Sequence, residues 1–158
     1  MSDAETLRTE TLRSPDEIAR LCAETMWKTD GASQGLGVEI REIAAGRAVL
    51  AMRLADHMVN GHGSAHGGYI FALADSAFAF ACNTYDERTV AAHCSISFLR
   101  PGKRGHELVA TAREVTRAGR SGIYDISVTQ DGVLIAEFRG HSRSIGGAII
   151  PQDEKIRD

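Results

Sequence analysis

Asn60, His66, Gly67 and Asp75 lie close together in the chain, and their types suit chemistry on an acyl group. Asp75 stands in the middle of the most apolar stretch, Tyr69 to Cys82. A lone carboxylate in a packed core is costly, so such groups are paired, neutral or functional. Two readings stand for Asp75: a core residue inside a local hydrogen-bond network, or a base or nucleophile facing a ligand. The stretch "HGG", His66 to Gly68, opens the same apolar segment. A helix start offers unpaired N–H groups and partial positive charge. Glycine clears the approach to them. The Gly67 N–H is therefore a candidate donor to the oxyanion that forms when an acyl carbonyl is attacked. The competing reading is that Gly67-Gly68 only lets the helix pack closely on a strand. Asn60 either shapes the turn in "VNGH" or positions water or substrate.

Spacing restricts how these groups cooperate. Asp75 follows Gly67 by eight residues, or about 12 Å along one helix. A reacting centre needs both groups within about 3 Å. Two copies of the helix, antiparallel across a two-fold axis, bring the start of one to the middle of the other. The expectation is a dimer with two shared sites, and Asp75 facing a ligand tunnel at the subunit interface.

The elements that hold these residues can be read from pattern. "SPDE" at 14–17 starts a helix with Ser14 as cap, and that helix runs to about Lys28. Thr29 to Gln34 breaks it, and two strands follow at 35–45 and 47–55. The Gly- and His-rich loop "DHMVNGHGSAHGG" leads into a helix over 67–83. Strands are expected at 89–99, 106–117, 120–130 and 133–145, with "RAGR" and "QDG" as the last two turns. A helix apolar nearly all round must be covered on most sides. This predicts an α+β domain in which a mostly antiparallel sheet curls around one long helix. The organisation expected is a leader at 1–13, one domain at 14–147 and a polar tail at 148–158.

Composition narrows the function classes. A chain of 158 residues with 43% apolar and 25% charged residues fits one soluble domain. A formal charge of −3 gives no pull toward nucleic acid or anionic membrane. Cys22, Cys82 and Cys94 sit among apolar residues and read as reduced structural thiols. No apolar leader or membrane-length run is visible, so a cytoplasmic protein is expected. His57, His62 and His66 lack a completing ligand set, and no metal is expected; His57 and His62 read as solvated loop residues.

The segments "VNGHGSAHGGYIFALADSAFAFACN", "SISFLRPGKRG" and "FRGHSRSIGG" closely resemble the PaaI-type acyl-CoA thioesterases of the hotdog-fold superfamily, over roughly residues 17–147. The resemblance implies a hotdog fold with an extra N-terminal helix. It implies dimers joined edge to edge into a continuous sheet, and commonly a pairing of dimers into homotetramers. It implies hydrolysis of acyl-CoA thioesters, with phenylacetyl-CoA or hydroxyphenylacetyl-CoA as the substrate type. No cofactor is implied, coenzyme A being part of the substrate. Asp75 matches the catalytic acid, Gly67 the oxyanion donor, His66 a residue that shapes the turn, and Asn60 an amide that positions water or substrate. The coenzyme A contacts implied are Phe98, Leu99, Arg100, Pro101, Gly102 and Lys103, then Arg120, Ser121 and Gly122, with Arg143. Some relatives place a Ser or Thr near the active carboxylate from the strand after the helix. Here Ala91-Ala92-His93 stand there, with Ser76 as an alternative hydroxyl and His93 without an assigned role. Tyr69, Phe71, Phe78 and Phe80 are candidates for an aryl pocket or for the core. The alternatives carried are a hotdog hydratase or dehydratase, against which the "HGG…D" spacing argues, and a non-catalytic acyl-CoA-binding module.

Overall fold

The computed structural model describes residues 13–153. The expected leader lies almost wholly outside the described residues. Helix α1 (Pro15–Trp27) opens on the expected capping box. Ser14 Oγ accepts from the Glu17 N–H at 3.2 Å, and Glu17 returns a carboxylate to the Ser14 N–H. The segment expected to be a break holds a short helix instead, α2 (Gly31–Gly35). Asp30 caps it by accepting from the Ser33 N–H at 2.9 Å. "TDGASQ" has turn composition, but a cap and a buried Ser33 tied to Ser76 make it helical.

The strands are β1 (Glu39–Ala44), β2 (Arg47–Arg53), β3 (Thr89–Phe98), β4 (Glu107–Ala118), β5 (Ser121–Gln130) and β6 (Val133–Ser144). The first begins four residues later than expected because α2 occupies the approach. One antiparallel sheet forms in the order β1-β2-β4-β5-β6-β3. Asp131 and Gly132, with φ of 50° and 76°, make the two-residue β5–β6 turn that the Asp-Gly pair predicts. Helix α3 (Gly67–Cys82) lies against the inner face of the sheet. Leu73, Ala74, Ala77, Phe78, Phe80 and Ala81 are buried there. The sheet approaches closely at Gly140, where a Cβ would stand 2.7 Å from the Phe78 ring. Trp27 of α1 meets Phe80 from the other side, with ring centroids 6.3 Å apart. The apolar helix is thus covered by sheet and by α1.

The packed domain also extends past residue 147. The Ile149 and Ile150 N–H groups donate to Asp86 Oδ1 at 2.9 and 2.8 Å, and Ile150 is buried. The expected polar tail therefore begins later than residue 148. No helix among the described residues is long and apolar enough to cross a membrane.

The two edges of the sheet differ. β1 carries Glu39, Arg41 and Glu42 and packs beside α1. β3 has no Asp, Glu, Lys or Arg, and most of its residues are exposed.

Candidate active site

The loop before α3 is held by Asn60. Its Oδ1 accepts from the His62 N–H at 2.9 Å, the Ser64 N–H at 3.3 Å and the Ser64 hydroxyl at 3.3 Å. Its side-chain NH2 has no protein partner among the described residues. The oxygen makes the turn, and the amide remains a donor. The loop is tied to the "RPGK" segment by Ala65 N–H to the Gly102 carbonyl at 3.0 Å. Two of the three motif segments meet here.

His66 is the cap of α3, with φ −67° and ψ 129°. Its Nδ1 accepts from the Gly68 N–H at 3.0 Å, so the neutral ring carries its proton on Nε2. The Tyr69 N–H donates to the His66 carbonyl. This leaves the Gly67 N–H as the unpaired donor of the first turn among the described residues. Gly67 also packs closely against the ring of Phe98. A Cβ there would lie 2.9 Å from Cζ of Phe98. The glycine thus combines close packing on a strand with an open N–H.

Asp75 is half-buried, two turns further along. Burial holds its carboxyl above the usual carboxylate range. The protein donor facing it is the Cys94 thiol, with Sγ 4.0 Å from Oδ1. Burial, then the Asp75 charge, pushes the Cys94 thiol up. The Cys82 thiol is pushed up to about 12, chiefly by burial. Its hydrogen is directed to the Ala79 carbonyl.

Ser76 does not supply the alternative hydroxyl. Its Oγ is 2.9 Å from Ser33 Oγ, under α2 and away from β3. His93 pairs with His141 across β3 and β6, with ring centroids 5.6 Å apart. A bulge between Ala91 and His93 shifts the strand, so Cys94 is the residue turned to Asp75. Sequence reading left Cys94 among inert thiols. The signal was present in period two from Phe98 through Ile96 to Cys94, but the bulge hid where the count should start.

Two contacts fix the geometry of α3 against β3. Phe98 meets Gly67, and Cys94 meets Asp75. Eight helical residues span about 12 Å and four strand residues about 13 Å, so the two ladders match. Strand and helix run antiparallel, and Gly67 and Asp75 of one chain stay about 12 Å apart.

The remaining candidates divide. Tyr69 stands edge-on between His57 and His66, with centroid distances of 5.9 and 6.1 Å. His62 is exposed and held to Asn60 only through its backbone. Phe78 and Phe80 are core, while Phe71 is half-buried against Phe138. The expected coenzyme contacts form two groups. Phe98, Leu99, Arg100, Pro101, Gly102 and Lys103 lie beside the start of α3. Arg100 donates to the Leu134 carbonyl at 3.0 Å. Ser121 and Gly122 open β5 at its other end, with Arg120 just before them and Arg143 paired to Ser121 across the ladder. Arg120 spends its guanidinium on the Ser144 carbonyl at 3.1 and 2.9 Å. The length of β5 separates the groups by about 30 Å. Within one chain they are not one surface.

Known proteins with the same features can now be set beside this geometry. Residues 62–136 match the Thioesterase superfamily. The chain is 44% identical over 128 residues to the acyl-coenzyme A thioesterase PaaI of Escherichia coli (strain K12), covering 80% of this chain and 91% of that one. The solved E. coli PaaI protein, from the phenylacetic acid degradation operon, superposes with a TM-score of 0.84 at 41% identity, covering 85% and 99% of the two chains. A Streptococcus mutans protein solved with acetyl-CoA matches with a TM-score of 0.68 at 25% identity, covering 70% and 90%.

Proposed function

The chain belongs to the thioesterase superfamily and is a hotdog-fold acyl-CoA thioesterase, and from that premise we propose that it hydrolyses aryl-acetyl-CoA thioesters of the phenylacetyl and hydroxyphenylacetyl type in a pocket shared by two subunits. The thioester carbonyl oxygen accepts from the Gly67 N–H of one protomer. The partner's Asp75 drives attack from the other side. It either takes a proton from the attacking water or bonds directly to the carbonyl carbon, expelling the coenzyme A thiolate to give a mixed anhydride that water then opens. The Asn60 amide holds the water or the substrate carbonyl. The phenylacetic acid context of the E. coli relative supports the acyl type.

The observation that carries this reading is the ladder between α3 and β3. Neither Gly67 nor Asp75 reaches the other within one chain, and both face the uncharged open edge of the sheet. Antiparallel pairing of β3 with its copy, with the two-fold axis near Ile96, sets Phe98 opposite the partner's Cys94. The same register brings Gly67 to the partner's Asp75. It also brings the two coenzyme A groups toward one another from different chains. Pairing of such dimers into tetramers is part of the proposal. The hydratase and binding-module alternatives have no observation in their favour.

Mixed oligomers test the shared site. Asp75→Asn and Gly67→Pro chains are each made, then unfolded and refolded together. Random pairing makes half the dimers mixed, each with one intact site of two, so about a quarter of wild-type activity returns. A mixture as dead as its components overturns the shared pocket. Label found in Asp75 after single turnover in H2 18O marks a mixed anhydride that water opens at the Asp75 carbonyl, and trapping of an acylated Asp75 detects the anhydride whichever carbonyl water attacks.

A further inference from the structure

Phe98 ends β3 with its side 53% exposed. Trp27, Phe71, Phe78, Phe80, Tyr124 and Phe138 all have ring partners. Phe98 has none among the described residues, and about half of it is open in the single chain. Its tip abuts Gly67, whose N–H is the open donor of α3. An apolar groove of about 390 Å³ runs past it, lined by Ala65, Ile70, Leu99 and Pro101 with Arg100. That volume lies within the range of small-molecule pockets. The one cation in the groove is committed to the Leu134 carbonyl.

We propose that Phe98 determines acyl specificity: its ring packs against the aromatic ring of the acyl group, one bond series away from the thioester carbonyl on Gly67. This rests on the reading of Gly67 as oxyanion donor, and it moves Phe98 from the coenzyme side of the substrate to the acyl side. A carbonyl oxygen on the Gly67 N–H leaves its α-carbon beside the Phe98 ring. A phenyl group on that carbon meets an aromatic face; a linear chain meets the same face with less gain. Aromatic pairs contribute about 0.5–1.5 kcal/mol beyond burial, or about two- to tenfold in selectivity.

The test compares Phe98→Leu and Phe98→Tyr with wild type by thiol release from phenylacetyl-CoA and hexanoyl-CoA, with free coenzyme A as inhibitor. Phe98→Leu is expected to lower the phenylacetyl-to-hexanoyl ratio of kcat/KM by about three- to tenfold. Phe98→Tyr is expected to keep the ratio, and inhibition by coenzyme A is expected to stay within about twofold. An equal loss on both substrates with weaker inhibition by coenzyme A overturns the proposal and returns Phe98 to the coenzyme side. An unchanged ratio overturns it as well, and the ratio is read on Phe98→Leu protein that keeps the oligomer on size exclusion or, if that variant dissociates, on Phe98→Met. The catalytic reading has its own test: if Gly67→Pro keeps full activity the oxyanion assignment falls, whatever the Phe98 ratio does.

Discussion

The Cys94 thiol stands 4.0 Å from Asp75 Oδ1 and is the protein donor that faces this carboxylate among the described residues. A thiol is a weak donor. Asp75 is therefore neither stabilised as an anion by strong hydrogen bonds nor neutralised by a cation. Its carboxyl is held above the usual range by burial. In the proposed mechanism the ionised form is the one that attacks or takes a proton. The acid limb of kcat/KM is expected above the ordinary carboxylate range, with activity falling as pH drops through it. A pH profile on one acyl-CoA measures this, and Asp75→Asn is expected to lose at least ~10²-fold in kcat.

The same burial has a stability consequence. A carboxyl whose folded pKa is raised binds more protons in the native than in the unfolded state between the two pKa values. Stability then grows as pH falls through that window, and at neutral pH the charge burdens the fold. Asp75→Asn is expected to leave the denaturation midpoint at pH 7 unchanged or higher while activity is lost. A large drop in midpoint would assign Asp75 to the core.

Gly67 allows a clean deletion of one N–H. It is the first residue of α3, where proline is well accepted, and His66 already has the extended backbone that a following proline demands. The Cβ clash falls on the tip of the exposed Phe98 ring, which can turn aside. Gly67→Ala brings the same Cβ and keeps the N–H. The expectation is a folded Gly67→Pro with kcat down by about 10²–10³ and a much milder Gly67→Ala. Thermal melts and thiol release on both variants check it.

Asn60 separates in a similar way. Asn60→Asp keeps an oxygen for the His62 and Ser64 N–H groups and puts a charged carboxylate oxygen where the NH2 donor was. It is expected to melt like wild type and to lose activity. Asn60→Ala is expected to lose both.

His66 acts through its cap. His66→Ala removes the acceptor of the Gly68 N–H and is expected to cost about 1 kcal/mol of stability. His66→Asn, a good cap with an acceptor in reach, is expected to recover most of it. Chemical denaturation of the two variants gives the answer.

What the sequence revealed follows from locality. Ser14 with Glu17, Asp131 with Gly132, and His66 before Gly67 each build their element from neighbours in the chain, and each was readable. The long apolar helix with one carboxylate was also readable, because its period and its exception lie in one segment. Contacts between segments were not. Cys94 shares a face with Ile96, but the bulge between Ala91 and His93 breaks that alternation when it is counted from the start of the strand. Ser76 turns to Ser33 because a six-residue stretch with turn composition caps itself into α2. The distance between the two basic groups, set by the length of β5, was not legible either.

The difference between the two sheet edges bears on how large an assembly can grow. β1 shows charges along its margin, which discourages a further strand, while β3 shows none. A pair joined through β3 buries that margin on both members at once. Only the charged margins then face outward, so the ribbon terminates itself at twelve strands, counting six from each chain. The pairing proposed to complete the reaction chamber would also keep the protein from polymerising.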